Sequence, residues 1–269
     1  MIGIFDSGAG GLSVYREIRK ILPEQDCIYY SDNANCPYGS KPKEFIIRRA
    51  KDITEFLLSE GAEIIVVACN TATAVAIKSL REDYPSVRFI GMEPAIKPAA
   101  QSTCTGVIGV LATAGTLCSE KYLTHKEKYA GDIRIAEHVG EGFVELVESG
   151  TIAGAAAEEV VSRSLKPLLD AGADTIVLGC THYPFLSDTI SKVASELYPE
   201  RSVMIIDPAP AVARHLKDVM QEEGLLTCSA MAHPRRNTDH ASSHNLASGT
   251  TILHSSGDSK TLKDFFSNL

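Results

Sequence analysis

Long apolar runs are missing from this sequence of 269 residues. No stretch approaches the roughly 18 apolar residues that suggest a membrane-spanning helix. The first residues reach an acid at Asp6 without a basic start or a long apolar segment, so we expect no secretory signal peptide. The seven cysteines include no CxxC pair, which disfavours a thiol redox protein and predicts the free thiols of a cytoplasmic protein.

An excess of basic residues is also missing. The chain has 26 Lys and Arg against 34 Asp and Glu, which gives a formal charge of −8. This balance disfavours non-specific binding of nucleic acid or of an anionic membrane surface, so an anionic ligand must be held by local donors. The composition, 44% hydrophobic and 22% charged, is typical of a globular protein whose core needs no disulfide or metal.

Short apolar segments alternate with longer amphipathic segments along the chain. The predicted strands are residues 1–5, 27–30, 64–68, 87–91, 106–111, 133–136, 175–178, 203–206 and 250–253. The predicted helices are residues 13–21, 43–59, 73–83, 119–128, 151–170, 188–197, 211–223 and 262–269. Such alternation predicts an α/β fold built from right-handed βαβ units, with mostly parallel sheets flanked by helices.

An internal repeat relates two halves of the chain. Residues 61–71 (GAEIIVVACNT) align with residues 172–182 (GADTIVLGCTH) at an offset of 111, and each copy runs from a glycine through a strand to a cysteine. A weaker match places residues 2–7 on residues 108–113, at an offset of 106. The repeat predicts two related α/β lobes, joined near the prolines of residues 93–99.

The two repeat cysteines, Cys69 and Cys180, stand where their strands end. In open α/β sheets ligands bind beyond the carboxyl ends of the strands. A single cysteine there is more often a buried packing residue. Two copies, each followed by polar residues, favour a pair of thiols on opposite sides of a bound ligand. His182 follows Cys180 closely enough to exchange protons with it.

The first strand ends at Asp6, and a glycine-rich segment (SGAGG, 7–11) follows it. The full GxGxxG spacing is absent and Asp6 would repel a pyrophosphate, so we predict no nucleotide site. Asp6 either caps the next helix or acts on a strand-end thiol, and the sequence leaves both interpretations open. Taken alone, Tyr38 is predicted to be a packing residue and Glu148 a solvated helix residue.

Residues 227–249 are polar and are predicted to form a loop. Histidines are frequent around this stretch: His233, His240, His244 and His254. Because no acid or thiol partner stands at ligand spacing from them, no metal site is predicted.

Six motifs resemble, in order, those of the glutamate racemases, the cofactor-independent members of the aspartate/glutamate racemase superfamily. They are FDSGAGG (5–11), PYGS (37–40), ACNTA (68–72), ATAGT (112–116), LVESG (146–150) and LGCTHYP (178–184). The resemblance implies two pseudo-symmetric lobes with the active site in the cleft between them. One lobe would comprise residues 1–95 and 211–269, and the other residues 96–210.

The resemblance also implies an activity, namely racemisation of L-glutamate to D-glutamate by two cysteines without a cofactor. Cys69 would act on D-glutamate and Cys180 on L-glutamate, with Asp6 beside the first thiol and Glu148 and His182 beside the second. Asp6 and His182 would also hold the substrate, together with Ser7, Tyr38, Gly39, Ser40, Asn70, Thr71, Thr113, Thr116 and Thr181. The family further implies a cytoplasmic homodimer that supplies D-glutamate for peptidoglycan.

Alternatives from other classes remain open at this point. A sister enzyme could use the same thiol pair to racemise aspartate, or as a decarboxylase or isomerase. A solute-binding protein also has two α/β lobes around a cleft, but it would not require thiols on both walls and would normally carry an export signal.

Overall fold

The computed structural model describes residues 1–131, 133–226 and 249–269. The strands are β1 (Ile2–Asp6), β2 (Cys27–Ser31), β3 (Ile64–Val67), β4 (Arg88–Gly91), β5 (Val107–Ala112), β6 (Arg134–Val139), β7 (Thr175–Gly179), β8 (Met204–Ile206) and β9 (Thr251–Ser255). Short 3₁₀ turns cover Asn33–Asn35, Tyr38–Ser40 and Tyr183–Leu186. Within these ranges no helix is long and apolar enough to cross a membrane.

The helices cover the faces of two sheets. They are α1 (Leu12–Ile21), α2 (Lys43–Ser59), α3 (Asn70–Asp83), α4 (Ile96–Ser102), α5 (Ala114–Leu117), α6 (Glu120–Ala130), α7 (Phe143–Glu148), α8 (Ala155–Asp170), α9 (Ser187–Leu197), α10 (Ala209–Glu222) and α11 (Lys260–Ser267). The first sheet has the strand order β4-β3-β1-β2-β9, and the second has the order β6-β5-β7-β8. The strand pairs in both are parallel, which confirms the predicted α/β class.

The two sheets share one strand order. When the second sheet is read from its other edge, β8-β7-β5-β6 corresponds to β4-β3-β1-β2. The register agrees as well: Ile2 pairs with Ile64 in the first sheet, and Ile108 pairs with Thr175 in the second. These are the residues that the two sequence offsets relate to one another. The internal repeat is therefore a repeat of three-dimensional structure.

The central strands of both sheets are buried on both faces, as their apolar sequences predict, whereas β6, β8 and β9 are partly exposed. In the first sheet, Ile4 and Val66 pack on the side of α1 and α10, whereas Phe5 and Val67 pack on the side of α2 and α3. Successive side chains of a strand point to opposite faces, which explains this division. Each such side chain contributes about 1.5–3 kcal/mol relative to exposure, so strand burial holds the loops of the site in place.

Two helices begin at residues other than the predicted ones, because local capping interactions set their first residue. Helix α3 begins at Asn70 because the Cys69 sulfur accepts a hydrogen bond from the backbone N–H of Ala72. Helix α8 begins at Ala155 because Gly154 adopts a positive φ of 88°, a conformation that a helix cannot include. Helices α4, α5 and α7 were not predicted, since four to seven residues are too few for a recognisable apolar period.

The end of the chain returns to the first sheet. Strand β9 pairs with β2, and Leu216 and Met220 of α10 share a core cluster with Ile18 of α1. His254 lies in β9 with its ring 4.7 Å from that of Phe56. A loop was predicted for residues 227–249, of which residues 227–248 lie outside the described part of the chain. The other three histidines lie in the same undescribed range.

Candidate active site

The carboxyl ends of β1, β3 and β7 meet at one cleft. Asp6 ends β1, Cys69 follows β3, and Cys180 follows β7. Both cysteines line the cleft, as the repeat predicted for a thiol pair. The full lining comprises Ser7, Pro37, Tyr38, Gly39, Cys69, Asn70, Thr71, Thr113, Val144, Cys180, Thr181 and His182.

Cys69 is held by the loop after β1 and by the first turn of α3. Its side chain is buried, and its thiol donates to the Ser7 hydroxyl across 3.7 Å. The Ala72 N–H donates to its sulfur across 3.4 Å. Burial, together with the nearby charge of Asp6, raises the pKa of Cys69 to about 12. In the free protein Cys69 therefore carries its proton at neutral pH.

Asp6 lies beneath the cleft and joins its two sides. One carboxylate oxygen accepts the Gly8 N–H at 2.8 Å, and the other accepts the Thr181 hydroxyl at 2.9 Å. Burial raises the pKa of Asp6, while the charge of His182 opposes that rise. The interpretation of Asp6 as a helix cap is wrong, because α1 begins after Gly11 without a side-chain cap. Asp6 instead fixes its own loop and raises the pKa of Cys69.

Cys180, His182 and Glu148 form a hydrogen-bonded chain. The Cys180 sulfur lies 3.7 Å from His182 Nδ1, and His182 Nε2 lies 2.6 Å from Glu148 Oε1. The same carboxylate oxygen accepts the Ala9 N–H at 2.7 Å. The expectation of a solvated Glu148 is therefore wrong, since its side chain is only 23% exposed and bonds across the cleft wall.

The pKa values of His182 and Glu148 are shifted in opposite directions. Burial lowers the pKa of His182, but hydrogen bonds to Cys180, Cys36 and Glu148 raise it well above its usual 6.5. Burial raises the pKa of Glu148, but the hydrogen bond and positive charge of His182 bring it below its usual 4.5. The pair is therefore an imidazolium and a carboxylate at neutral pH, with the cation beside the Cys180 sulfur.

Three threonine hydroxyls bridge the two halves of the cleft. Thr71 Oγ1 lies 2.9 Å from Thr113 Oγ1, and Thr113 Oγ1 lies 3.0 Å from Thr116 Oγ1. Beside them, Asn70 Oδ1 is buried and has no hydrogen-bond partner among the described residues. A buried acceptor without a partner is unusual and is suited to a donor supplied by a ligand.

Tyr38 reaches the cleft through a support network that the sequence did not suggest. Its hydroxyl donates to Asp32, and the guanidinium of Arg49 holds that carboxylate at 2.9 and 3.0 Å. Arg49 and Tyr38 lower the pKa of Asp32 against the effect of burial. Tyr38 is one of the lining residues, whereas Asp32 and Arg49 are not, so the neutral Tyr38 side chain forms this part of the cleft wall.

Neutral donors dominate the lining itself. It includes no lysine or arginine among the described residues, but it offers hydroxyls and the backbone N–H groups at the start of α3. A helix start of this kind suits a carboxylate or another anion. The site can therefore hold a small zwitterion with one acceptor for its ammonium, neutral donors for its carboxylates, and a thiol on each side.

Comparison with known proteins shows the family of this chain. The sequence model of the family described as Asp/Glu/Hydantoin racemase matches residues 2–216. The chain belongs to this family. A glutamate racemase of Ectopseudomonas mendocina is 46% identical over 225 residues, which is 84% of each chain.

Solved structures agree over nearly the whole chain. The glutamate racemase isoform RacE1 of Bacillus anthracis matches with a TM-score of 0.81 and 30% identity, covering 100% of this chain and 92% of that one. The glutamate racemase of Francisella tularensis, solved in complex with D-glutamate, matches with a TM-score of 0.78 and 27% identity, covering 100% and 93%. The two-lobed α/β fold is thus that of glutamate racemase structures.

The cleft collects most of the residues that the sequence suggested for it. Ten of them line it, and Asp6, Glu148 and Thr116 lie directly behind the lining. Ser40 is exposed and is not among the lining residues. Residues that sequence reasoning did not assign to the site are Cys36, Pro37 and Val144. Cys36 immediately precedes the PYGS motif, Pro37 is its first residue, and Val144 lies one helical turn before Glu148.

We expect Glu148→Gln to lower the pKa of His182 and to destabilise the fold by about 2 kcal/mol, because a charged hydrogen bond is lost. A histidine whose pKa is raised by folding stabilises the folded protein at pH values below its pKa in the unfolded chain. This contribution is lost as the pH rises through its pKa in the folded protein. A lowered glutamate pKa stabilises above its unfolded value. The pair therefore contributes most between pH 4.5 and 6.5, the ordinary values of the two groups.

Imidazole NMR titration and urea unfolding at several pH values measure the two effects. Glu145→Gln, an exposed change on the same helix α7, is the matched control and should leave both unchanged. An unaltered His182 titration midpoint in Glu148→Gln would contradict the assigned pair.

Proposed function

We propose that this chain racemises glutamate by a two-base reaction in which Cys69 and Cys180 act on opposite faces of Cα. The observation that carries the proposal is the pair of thiols at matching strand ends of the two repeats, lining one cleft. Racemisation needs a base on one face and an acid on the other, and a duplicated lobe supplies one thiol to each. The D-glutamate bound in the Francisella tularensis structure supports glutamate as the substrate.

The direction of proton transfer depends on which face of Cα each thiol is next to. With L-glutamate, the Cys180 sulfur takes the α-proton, breaking the Cα–H bond, and the Cys69 S–H bond breaks as its proton passes to the opposite face. With D-glutamate the roles reverse. The high pKa of Cys69 supports this order, because a thiol that keeps its proton is ready to donate it. The His182 ring lies 3.7 Å from the Cys180 sulfur, close enough for a proton to pass between them.

Neutral side chains and backbone N–H groups would bind the substrate. Asn70 Oδ1 would accept from the ammonium, and the hydroxyls of Thr71, Thr113 and Thr181 with the N–H groups of α3 would bind the carboxylates. These donors are already in place where negative charge develops, which is the form of stabilisation a carbanion needs. Since the thiols serve as both base and acid, we propose no cofactor.

The wider setting is also part of the proposal. By family, the reaction would supply D-glutamate for peptidoglycan in the cytoplasm, and the protein would act as a homodimer. We also propose the lobe boundaries at residues 1–95 with 211–269, and 96–210. Pairing of β9 with β2 supports the return of the chain end to the first lobe.

The direct test is the circular dichroism of L-glutamate incubated with the purified, reduced protein without any cofactor. We expect the signal to decay to zero, and D-glutamate to decay to the same end point. Decay with L-aspartate alone would overturn the substrate but keep the fold and the thiol chemistry. No decay with either amino acid would contradict the proposed reaction.

A further inference from the structure

A cluster of three potential metal ligands lies at the edge of the cleft. The donor atoms of Cys36, Glu148 and His182 all lie within 4.8 Å of one another. The Cys36 thiol donates to Glu148 Oε1 across 3.8 Å, and the same oxygen lies 2.6 Å from His182 Nε2. The proposed reaction assigns no role to Cys36, although its thiol contacts Glu148, which is hydrogen-bonded to the His182 ring beside Cys180.

We propose that Cys36, Glu148 and His182 form a binding site for a thiophilic divalent cation of the zinc class, whose occupation blocks the reaction. The prediction of no metal site considered only the histidines near residues 227–249. It could not consider these three residues, because they are distant in sequence and meet only in the folded chain.

The donor set fits such a cation in chemistry. One sulfur, one imidazole nitrogen and one carboxylate oxygen are all ligands that Zn²⁺ takes, and three protein ligands leave a fourth position for water. Mg²⁺ and Ca²⁺ prefer sites built from oxygen ligands alone, so the cysteine and histidine select against them.

The donor set also fits in size. A tetrahedral zinc with ordinary bond lengths separates its ligand atoms by about 3.3–3.7 Å. The Cys36–Glu148 separation is already close to this range, whereas the His182–Glu148 separation must open by about 0.7 Å. A small rotation of the Glu148 carboxylate therefore suffices, and its side chain is partly exposed.

Charge balance supports binding as well. Coordination displaces two protons to solvent, one from the Cys36 thiol and one from Nε2 of His182, so the bound cation faces one thiolate, one neutral imidazole and one carboxylate. The protein charges then match those of the divalent ion. Cys36 is not fully buried, so an ion can reach the cluster from the side of the cleft.

Binding would interrupt the proposed reaction at its proton chain. The ion takes His182 Nε2 and the carboxylate of Glu148, which removes the hydrogen bond between them. The His182 imidazole, 3.7 Å from the Cys180 sulfur, is then held by the ion instead of by the hydrogen bond to Glu148. This inhibition rests on the proposed function, whereas binding of the ion does not.

Cobalt(II) added to the reduced, chelator-treated full chain reports binding without any reference to activity. We expect one equivalent to bind with a thiolate-to-cobalt charge-transfer band, and Zn²⁺ to displace it. In Cys36→Ser the band should vanish and affinity should fall by about 10²-fold or more, since even the loss of a group behind a ligand costs 10–100-fold. Cys104→Ser, which removes an exposed thiol elsewhere, should leave the band, the affinity and the activity unchanged.

The outcomes separate the site from the reaction. A thiolate band that persists in Cys36→Ser, or no cobalt binding by the unmodified chain, would overturn the site. Metal binding that depends on Cys36 but leaves glutamate racemisation unimpeded would overturn the block. A chain that binds cobalt as expected but never racemises glutamate would refute the proposed function and leave the metal site standing.

Discussion

Cys69→Ser and Cys180→Ser are each expected to reduce racemisation of glutamate on the order of 10³-fold, within the range that a positioned acid or base contributes. Serine keeps the size of the side chain but holds its proton too firmly to serve as the base. Because the reaction needs one group on each face, loss of either thiol should stop the net conversion in both directions. The measurement is the circular dichroism decay starting from each enantiomer.

Single-thiol variants also distinguish the two faces. In Cys69→Ser the remaining Cys180 should still exchange the α-proton of L-glutamate with D₂O faster than that of D-glutamate, and Cys180→Ser should show the opposite preference. Cys27→Ser is the matched control, since Cys27 is buried at the start of β2, away from the cleft lining. Near-normal racemisation in either active-site variant would rule out the two-thiol reaction.

Asp6→Asn is expected to reduce racemisation on the order of 10²-fold while making Cys69 easier to deprotonate. The substitution removes the buried charge that raises the pKa of Cys69, so this pKa should fall below about 12. It also replaces an acceptor of the Thr181 hydroxyl with an amide that must turn its oxygen to keep that bond. The activity loss reflects misplacement of groups shared by the two lobes, a kind of change that readily costs 10²-fold.

Iodoacetamide labelling of Cys69, followed by peptide mass spectrometry over a pH series, measures the thiol directly. The midpoint of labelling should move to lower pH in Asp6→Asn and stay in place in Asp188→Asn, a change at an exposed acid. A merely structural role of Asp6 predicts lost activity with an unmoved midpoint, and that result would contradict the electrostatic link.

Sequence periodicity predicted the fold well because the repeat carries its own register. Two short matches, at offsets of 111 and 106, predicted two related lobes, and the structure shows Ile108 paired with Thr175 as Ile2 is paired with Ile64. The central strands β1, β3, β5 and β7 are apolar runs buried on both faces, so their sequence pattern is strong. The short helix Phe143–Glu148 was not predicted, because six residues carry too little periodicity and its burial is fixed by tertiary contacts.

The sequence predicted those parts of the site that lie at the ends of strands. The position of Cys69 and Cys180 follows from topology, since the carboxyl ends of parallel strands share an edge. The contact of Glu148 with His182 and Cys36 joins residues far apart in the chain, and no local pattern records it. The motif resemblance suggested Glu148 for the second thiol, whereas nothing in the sequence indicated Cys36.

The most direct test of the central claim, one thiol on each face of Cα, is the isotope content of the first product formed in D₂O. L-Glutamate carrying protium at Cα is converted to low extent, and the enantiomers are separated and analysed by mass spectrometry. The two-thiol account predicts deuterium at Cα of D-glutamate, delivered by Cys69, while the remaining L-glutamate is still largely protiated. D-Glutamate that retains the original proton, or equal deuteration of both enantiomers at low conversion, would contradict it, because either result indicates a single base serving both faces.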